Sequence, residues 1–155
     1  MIQVLFVCTG NICRSPSGEA VLRRMIDDAG LSNRISVDSC GLEGWHIGKS
    51  PDERSQAHAL KRGYELASLR ARQLSGDDFS RFDYMIAMDS GHLGDLTQMK
   101  PAVSATDIRM MMHYAGKPDT NVPDPFYDGP EAFELALDLI EEGCRGLLKQ
   151  LQGKL

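Results

Sequence analysis

An apolar run at the start of the chain gives way to Val7-Cys8-Thr9-Gly10-Asn11-Ile12-Cys13-Arg14-Ser15-Pro16, in which a cysteine and an arginine stand with five residues between them. A loop that curls from a strand into a helix start turns successive backbone N–H groups inward. The helix dipole adds positive potential there, so the concavity suits a phosphate dianion. Gly10 and Asn11 are residue types that accept the left-handed backbone angles of such a curl. Arg14 can hold two phosphate oxygens through its planar fork, which a lysine could not do. Cys8 stands at the mouth of this cradle, where the field that attracts phosphate also favours a thiolate, and Ser15 could add a hydroxyl hydrogen bond to the sulfur. The expected phosphate-binding set is Thr9, Gly10, Asn11, Ile12, Cys13, Arg14 and Ser15, with Cys8 the nucleophile beneath the bound phosphorus. Any single cysteine at a strand end is more simply read as a core thiol. The conjunction of Cys8, Arg14 and Ser15 is what favours chemistry.

The elements needed to position that loop are legible in the pattern. Ile2–Val7 reads as a strand buried on both faces. After Pro16, the apolar positions Val21, Leu22, Met25, Ile26 and Ala29 recur at helical spacing, and Gly30 stops them. The order then repeats: Arg34–Ser39 as a strand, Asp52–Arg62 as a helix closed by Gly63, Tyr84–Met88 as a strand. A short helix around His92–Met99 is stopped by Pro101, and Ile108–Met112 reads as a further strand. The last helix carries Phe133, Ala136, Leu137, Ile140, Cys144, Leu147, Leu148 and Leu151 on one face, with Asp128 and Glu131 spaced as a capping pair. Strands alternating with helices predict an α/β fold: a doubly wound, four-stranded parallel sheet with helices on both faces and a phosphate-binding loop after the first strand. Ligands bind beyond the C-terminal strand ends of such sheets, where Cys8 falls.

Length and composition bound the rest. The 155 residues fit one domain, 1–155, large enough to bury roughly 70% of its unfolded surface. With 42% hydrophobic and 25% charged residues the chain is of ordinary globular composition, and a net charge of −5 argues against nucleic-acid binding. Ile2–Val7 is too short for a membrane span and carries no basic leader, so a cytoplasmic protein without membrane insertion is expected. Four cysteines in such a chain suggest catalytic or redox use rather than disulfide staples.

The loop resembles that of the low-molecular-weight protein tyrosine phosphatase family: Cys, five residues, Arg, Ser, with internal Gly-Asn and a following Pro. The resemblance extends in order through Asp38-Ser39-Cys40-Gly41, Trp45-His46, Pro51-Asp52, Ala71-Arg72-Gln73, Phe82-Asp83, Met88-Asp89 and Val122-Pro123-Asp124-Pro125-Phe126-Tyr127. It implies that Asp124 is the general acid that protonates the leaving phenol oxygen and then the base that activates water against a phosphocysteine. A positioned acid of this kind is worth roughly 10²–10⁴ in rate. Without the Cys8 loop, Asp124 followed by Pro125 would read as a turn. The resemblance also implies that Trp45, Phe126 and Tyr127, with Ile12, wall a cleft deep enough for a phenyl ring. Related arginine phosphatases carry Thr where this chain has Ile12, so the substrate implied is a phosphotyrosine-containing protein, a tyrosine kinase being one candidate. No cofactor and no metal are implied, and a monomer or weak homodimer is expected. Leu69 departs from the pattern: many members have His there, supporting the loop through Asn11.

The same residues bear on other readings. Gly44-Trp45-His46-Ile47-Gly48-Lys49-Ser50 mimics a nucleotide-binding loop but has three residues between its glycines where four are required, and it reads as a rim loop. Cys8 and Cys13 lack the further ligands of a zinc site. An arsenate reductase would need relay cysteines beyond the first loop, and Cys40 and Cys144 read instead as core thiols. A phosphate-binding module without turnover would need neither nucleophile nor acid. The four histidines read mostly as solvated or hydrogen-bonded side chains rather than bases. Cys13 is close enough in sequence to Cys8 for a reversible protective disulfide, with plain space filling as the alternative.

Overall fold

The run that opens the chain becomes β1 (Ile2–Cys8), and its position explains its composition. It pairs in parallel with β2 (Ile35–Gly41) on one side and β3 (Tyr84–Ala87) on the other, while β4 (Asp107–Met110) closes the sheet in the order β2-β1-β3-β4. The computed structural model describes residues Met1–Leu155. Val4, Leu5, Phe6 and Val7 are fully buried. Because successive strand side chains face opposite ways, a strand covered on both faces must be apolar throughout. Val4, Phe6 and Cys8 enter a core shared with α1 (Arg14–Asp28) and α5 (Pro130–Gln152). Leu5 and Val7 enter a second core with α3 (Asp78–Arg81) and α4 (Ser90–Met99). The sheet is thus doubly wound, as expected.

Several boundaries differ from the sequence expectations, each for a local reason. Helix α1 begins at Arg14, and Pro16 sits in its first turn, where a missing N–H costs nothing. β2 runs on through Cys40 and Gly41, which pairs with Cys8. β4 ends at Met110 because Met111–Ala115 turns into a 3₁₀ helix, ending at Gly116 with φ 75°. The four residues of α3 are too few to show a period. The capping pair of Asp128 and Glu131 does not form. Gly129 is the N-cap without a side-chain bond and Pro130 pre-sets the first turn, while the Asp128 N–H bonds to the Pro125 carbonyl. Helix α2 (Glu53–Lys61) starts as expected: the Asp52 carboxylate accepts from the N–H groups of Arg54 and Ser55.

All four strands run the same way, so the residues after β1, β2 and β3 gather along one edge. Helix α5 closes the first core against the 3₁₀ segment at two glycines. A Cβ on Gly143 would meet the Met111 carbonyl oxygen at 2.8 Å, and one on Gly146 would fall onto the carbonyl oxygen of Tyr114. A glycine inside a helix ordinarily gains roughly 0.5–1 kcal/mol on replacement by alanine. At Gly146 the sign should invert: we expect Gly146→Ala to lose roughly 1–3 kcal/mol or more by overpacking. Urea denaturation measures it, and a stabilised variant would refute this packing.

Candidate active site

Between Cys8, the last residue of β1, and Arg14, the first of α1, the chain reverses in five residues. No main-chain N–H from Thr9 to Ser15 donates a hydrogen bond to another protein atom. Backbone donors are seldom left unmatched, and at the start of a helix they mark an anion site. Asn11 takes the turn at φ 58°, the one residue other than glycine with a positive φ. Its amide locks it there: Nδ2 donates to Ser15 Oγ at 2.8 Å and Ser39 Oγ at 3.0 Å, and Oδ1 accepts the Arg72 N–H at 3.0 Å. Gly10 was expected to share the left-handed angles and does not. Its constraint is steric, since a Cβ there would meet the His46 ring at 2.9 Å. Gly41 is required for the same kind of reason: a Cβ on it would sit 2.8 Å from the Thr9 carbonyl oxygen.

Cys8 lies on the floor of this loop, 3% exposed, with its sulfur 2.9 Å from Ser15 Oγ. The hydroxyl expected beside the sulfur is therefore present. Arg14 is buried and aimed by two fixed acceptors, Asp89 Oδ2 at 2.8 Å and the Val122 carbonyl at 3.0 Å. Burial opposes ionisation of Asp89, but the His92 N–H and the Arg14 guanidinium outweigh it and hold the carboxyl below its ordinary range. Asp124 lies half-exposed with Oδ2 3.7 Å from Arg14 Nη2, and its Oδ1 accepts the Phe126 N–H at 3.1 Å. It is at once the turn residue and the carboxylate over the loop, so the two readings of the sequence describe one structure.

An open cleft joins these groups. Cys8, Thr9, Gly10, Ile12, Cys13 and Arg14 form its floor, and Trp45, His46, Asp124, Phe126 and Tyr127 its walls. Trp45 and Tyr127 are largely exposed, and Phe126 meets Tyr127 edge-on with ring centroids 4.9 Å apart. Gly44–Ser50 is thus a rim loop. Of the expected set, only Asn11 and Ser15 do not line the cleft; they hold the loop from behind.

The other cysteines are buried free thiols. Burial pushes Cys13 up to about 12, against a smaller pull from Ser55, and raises Cys40 and Cys144 as well.

Sequence reasoning assigned no role to several supporting residues. Ser39 passes the hold on Asn11 to Glu19, a carboxylate 4% exposed, through a 2.6 Å bond to Oε1, and Arg23 pairs with its other oxygen. Leu69 instead packs against the first core. Asp89 and His92 were visible as residues, yet only the adjacency of β3 to β1 brings them to the loop. The i, i+4 spacing of Glu19 and Arg23 was the one available signal for that pair.

The family model for low molecular weight phosphotyrosine protein phosphatases matches residues 3–155. The low molecular weight protein-tyrosine-phosphatase YfkJ of Bacillus subtilis is 42% identical over 153 residues, covering 98% of this chain and 97% of that protein. The crystal structure of a protein tyrosine phosphatase from Entamoeba histolytica matches with a TM-score of 0.93 at 36% identity, over 100% of both chains. That of a Drosophila arginine phosphatase matches with a TM-score of 0.90 at 34% identity, over 97% of this chain and 98% of that one. With its fold and nearly its whole length in common with these proteins, the chain belongs to the low molecular weight phosphotyrosine protein phosphatase family.

Proposed function

We propose that the protein hydrolyses phosphotyrosine in protein substrates through a phosphocysteine intermediate on Cys8, with Asp124 as general acid and then general base. The observation that carries this reading is the loop from Thr9 to Ser15, whose main-chain N–H groups have no protein acceptor, next to a Cys8 sulfur within hydrogen-bond distance of the Ser15 hydroxyl. Three phosphoryl oxygens would take up those donors and the Arg14 guanidinium. The Cys8 sulfur then attacks phosphorus, forming an S–P bond as the P–O bond to the phenol breaks. Asp124 delivers its proton to the departing oxygen. In the second half Asp124 removes a proton from water, the hydroxide displaces sulfur from phosphorus, and inorganic phosphate leaves with the thiolate restored. Ser15 stabilises the sulfur when it carries charge and when it departs. No metal and no cofactor has a part in these steps.

The cleft supports the choice of an aryl ester. Trp45 and Tyr127 stand at its edge as exposed aromatic faces, with Phe126 beside them, and Ile12 gives the floor an apolar contact where a hydroxyl would better serve a guanidinium. Phosphoarginine is the competing substrate, because an arginine phosphatase shares the fold closely. The protein partner is a phosphotyrosine-bearing chain, and we place the reaction in the cytoplasm, in one domain acting as a monomer or weak dimer. No helix is long and apolar enough to cross a membrane.

Initial rates on phosphotyrosine, phosphoarginine and phosphoserine in the presence of a chelator test the substrate assignment. Phosphotyrosine should be preferred and vanadate should inhibit; faster release from phosphoarginine would overturn it. Cys8→Ser should abolish turnover with the fold intact, as read by circular dichroism, and appreciable residual rate would remove Cys8 from its role. Asp124→Ala should slow phenyl phosphate hydrolysis by roughly 10²–10⁴. That loss should shrink as the leaving group becomes more acidic, and an equal loss across leaving groups would count against the acid assignment.

A further inference from the structure

Among the buried titratable groups, His92 stands close to the cleft and has no step in the mechanism above. Its residue is 5% exposed. Its ring spans two loop anchors: Nε2 lies 2.9 Å from Thr9 Oγ1, and Nδ1 lies 3.3 Å from Asp89 Oδ1, too poorly aligned to count as a full bond. Asp89 Oδ1 also accepts the His92 backbone N–H at 2.9 Å, and its other oxygen holds Arg14. Asn11 and Ser15 tie the loop to β2, whereas Thr9 and Arg14 are its two side chains held from the β3–α4 side. Both of these converge on one residue pair, Asp89 and His92.

We propose that His92 is a positioning residue for phosphoryl transfer: through Thr9 it fixes the first turn of the phosphate loop, and through Asp89 it couples that turn to the Arg14 guanidinium. The inference rests on the phosphatase reading and adds to it a determinant of loop geometry. The charged groups facing the ring are Asp89 from the end of β3, Arg14 from α1, Asp95 from α4 and Asp124 from the acid loop. Burial, helped by Arg14, outweighs the three carboxylates and leaves the ring neutral at pH 7. A neutral ring carries one proton, and a lone pair on Nδ1 would face the Asp89 carboxylate. We therefore assign the proton to Nδ1, so that Nε2 accepts from the Thr9 hydroxyl. The Thr9 proton is then committed to His92 and not to the phosphate. What Thr9 supplies is a fixed backbone: its carbonyl accepts the Glu43 N–H at 2.9 Å, a second tie on the first turn of the loop.

A coupling of this kind is read by a double-mutant cycle. Rates of para-nitrophenyl phosphate hydrolysis and vanadate inhibition are measured for the parent, His92→Leu, His92→Gln, Thr9→Val and the His92→Leu/Thr9→Val pair. The two single apolar variants should each lose about tenfold in kcat/KM, the size expected for one buried hydrogen bond, with vanadate binding weakened in parallel. The pair should lose no more than the worse single variant, and His92→Gln, whose amide reaches the Nε2 position, should recover most of the activity. Losses that multiply in the pair, or parental kcat/KM in either single variant, would overturn the proposal. If His92→Leu does not fold, Thr9→Val and His92→Gln decide it alone, since parental kcat/KM in the former or no recovery in the latter overturns it. An inert parent would overturn the phosphatase reading along with it, so the parent's own rate separates the two failures.

Discussion

A peptide chain can present unmatched N–H groups to one point only if something holds it in an unfavourable curl, and here that duty falls on Asn11. A residue with a Cβ at φ 58° is strained, and asparagine tolerates it because its short amide can bond locally. Every polar atom of that amide is used, to Ser15, Ser39 and the Arg72 backbone. One of those partners, Ser15, is also the hydroxyl on the Cys8 sulfur. The bond that keeps the loop curled and the bond to the Cys8 sulfur thus share a single oxygen.

The remaining architecture gives that curl walls. A parallel sheet puts its C-terminal strand ends along one edge, so Cys8 of β1, Gly41 of β2 and Asp89 after β3 meet there without any long-range device. Gly41 lets the loop lie directly on β2, and Asp89 reaches across to aim Arg14. A guanidinium 4% exposed would be costly if unpaired; with one carboxylate and one carbonyl fixed on Nη1, the rest of its donor fork is left for a ligand. Asp124 is the least constrained member. It sits on the Val122–Tyr127 segment, half-exposed and anchored by its own turn, which fits the acid and base role proposed for it.

How much of this the sequence could disclose depended on whether the signal was local. The strand, the loop and the first helix were readable together because an apolar run, a turn and a 3.6-residue period follow one another within thirty residues. Cys8, Arg14 and Ser15 sit inside that window. Asp124 and the aromatic walls have no such local signature, and their role came from likeness to a family rather than from spacing. His92 carried no signal at all: its partners are 83 residues away at Thr9 and three residues away at Asp89, and only the pairing of β1 with β3 makes the former a neighbour. The misread cap before α5 shows the opposite hazard. Asp128 and Glu131 have capping spacing, but Pro130 between them already organises the helix start.

Chemical trapping of the intermediate bears most directly on the central claim, that this cradle turns Cys8 into the phosphoryl acceptor. The Asp124→Ala variant, given para-nitrophenyl phosphate, should form the S–P bond readily, since that leaving group needs little help, and should hydrolyse it slowly for want of a base. Rapid acid quench followed by peptide mass analysis should then find one phosphoryl group on Cys8. Continued turnover with no phosphoryl on Cys8, or with the group on another residue, would contradict the account.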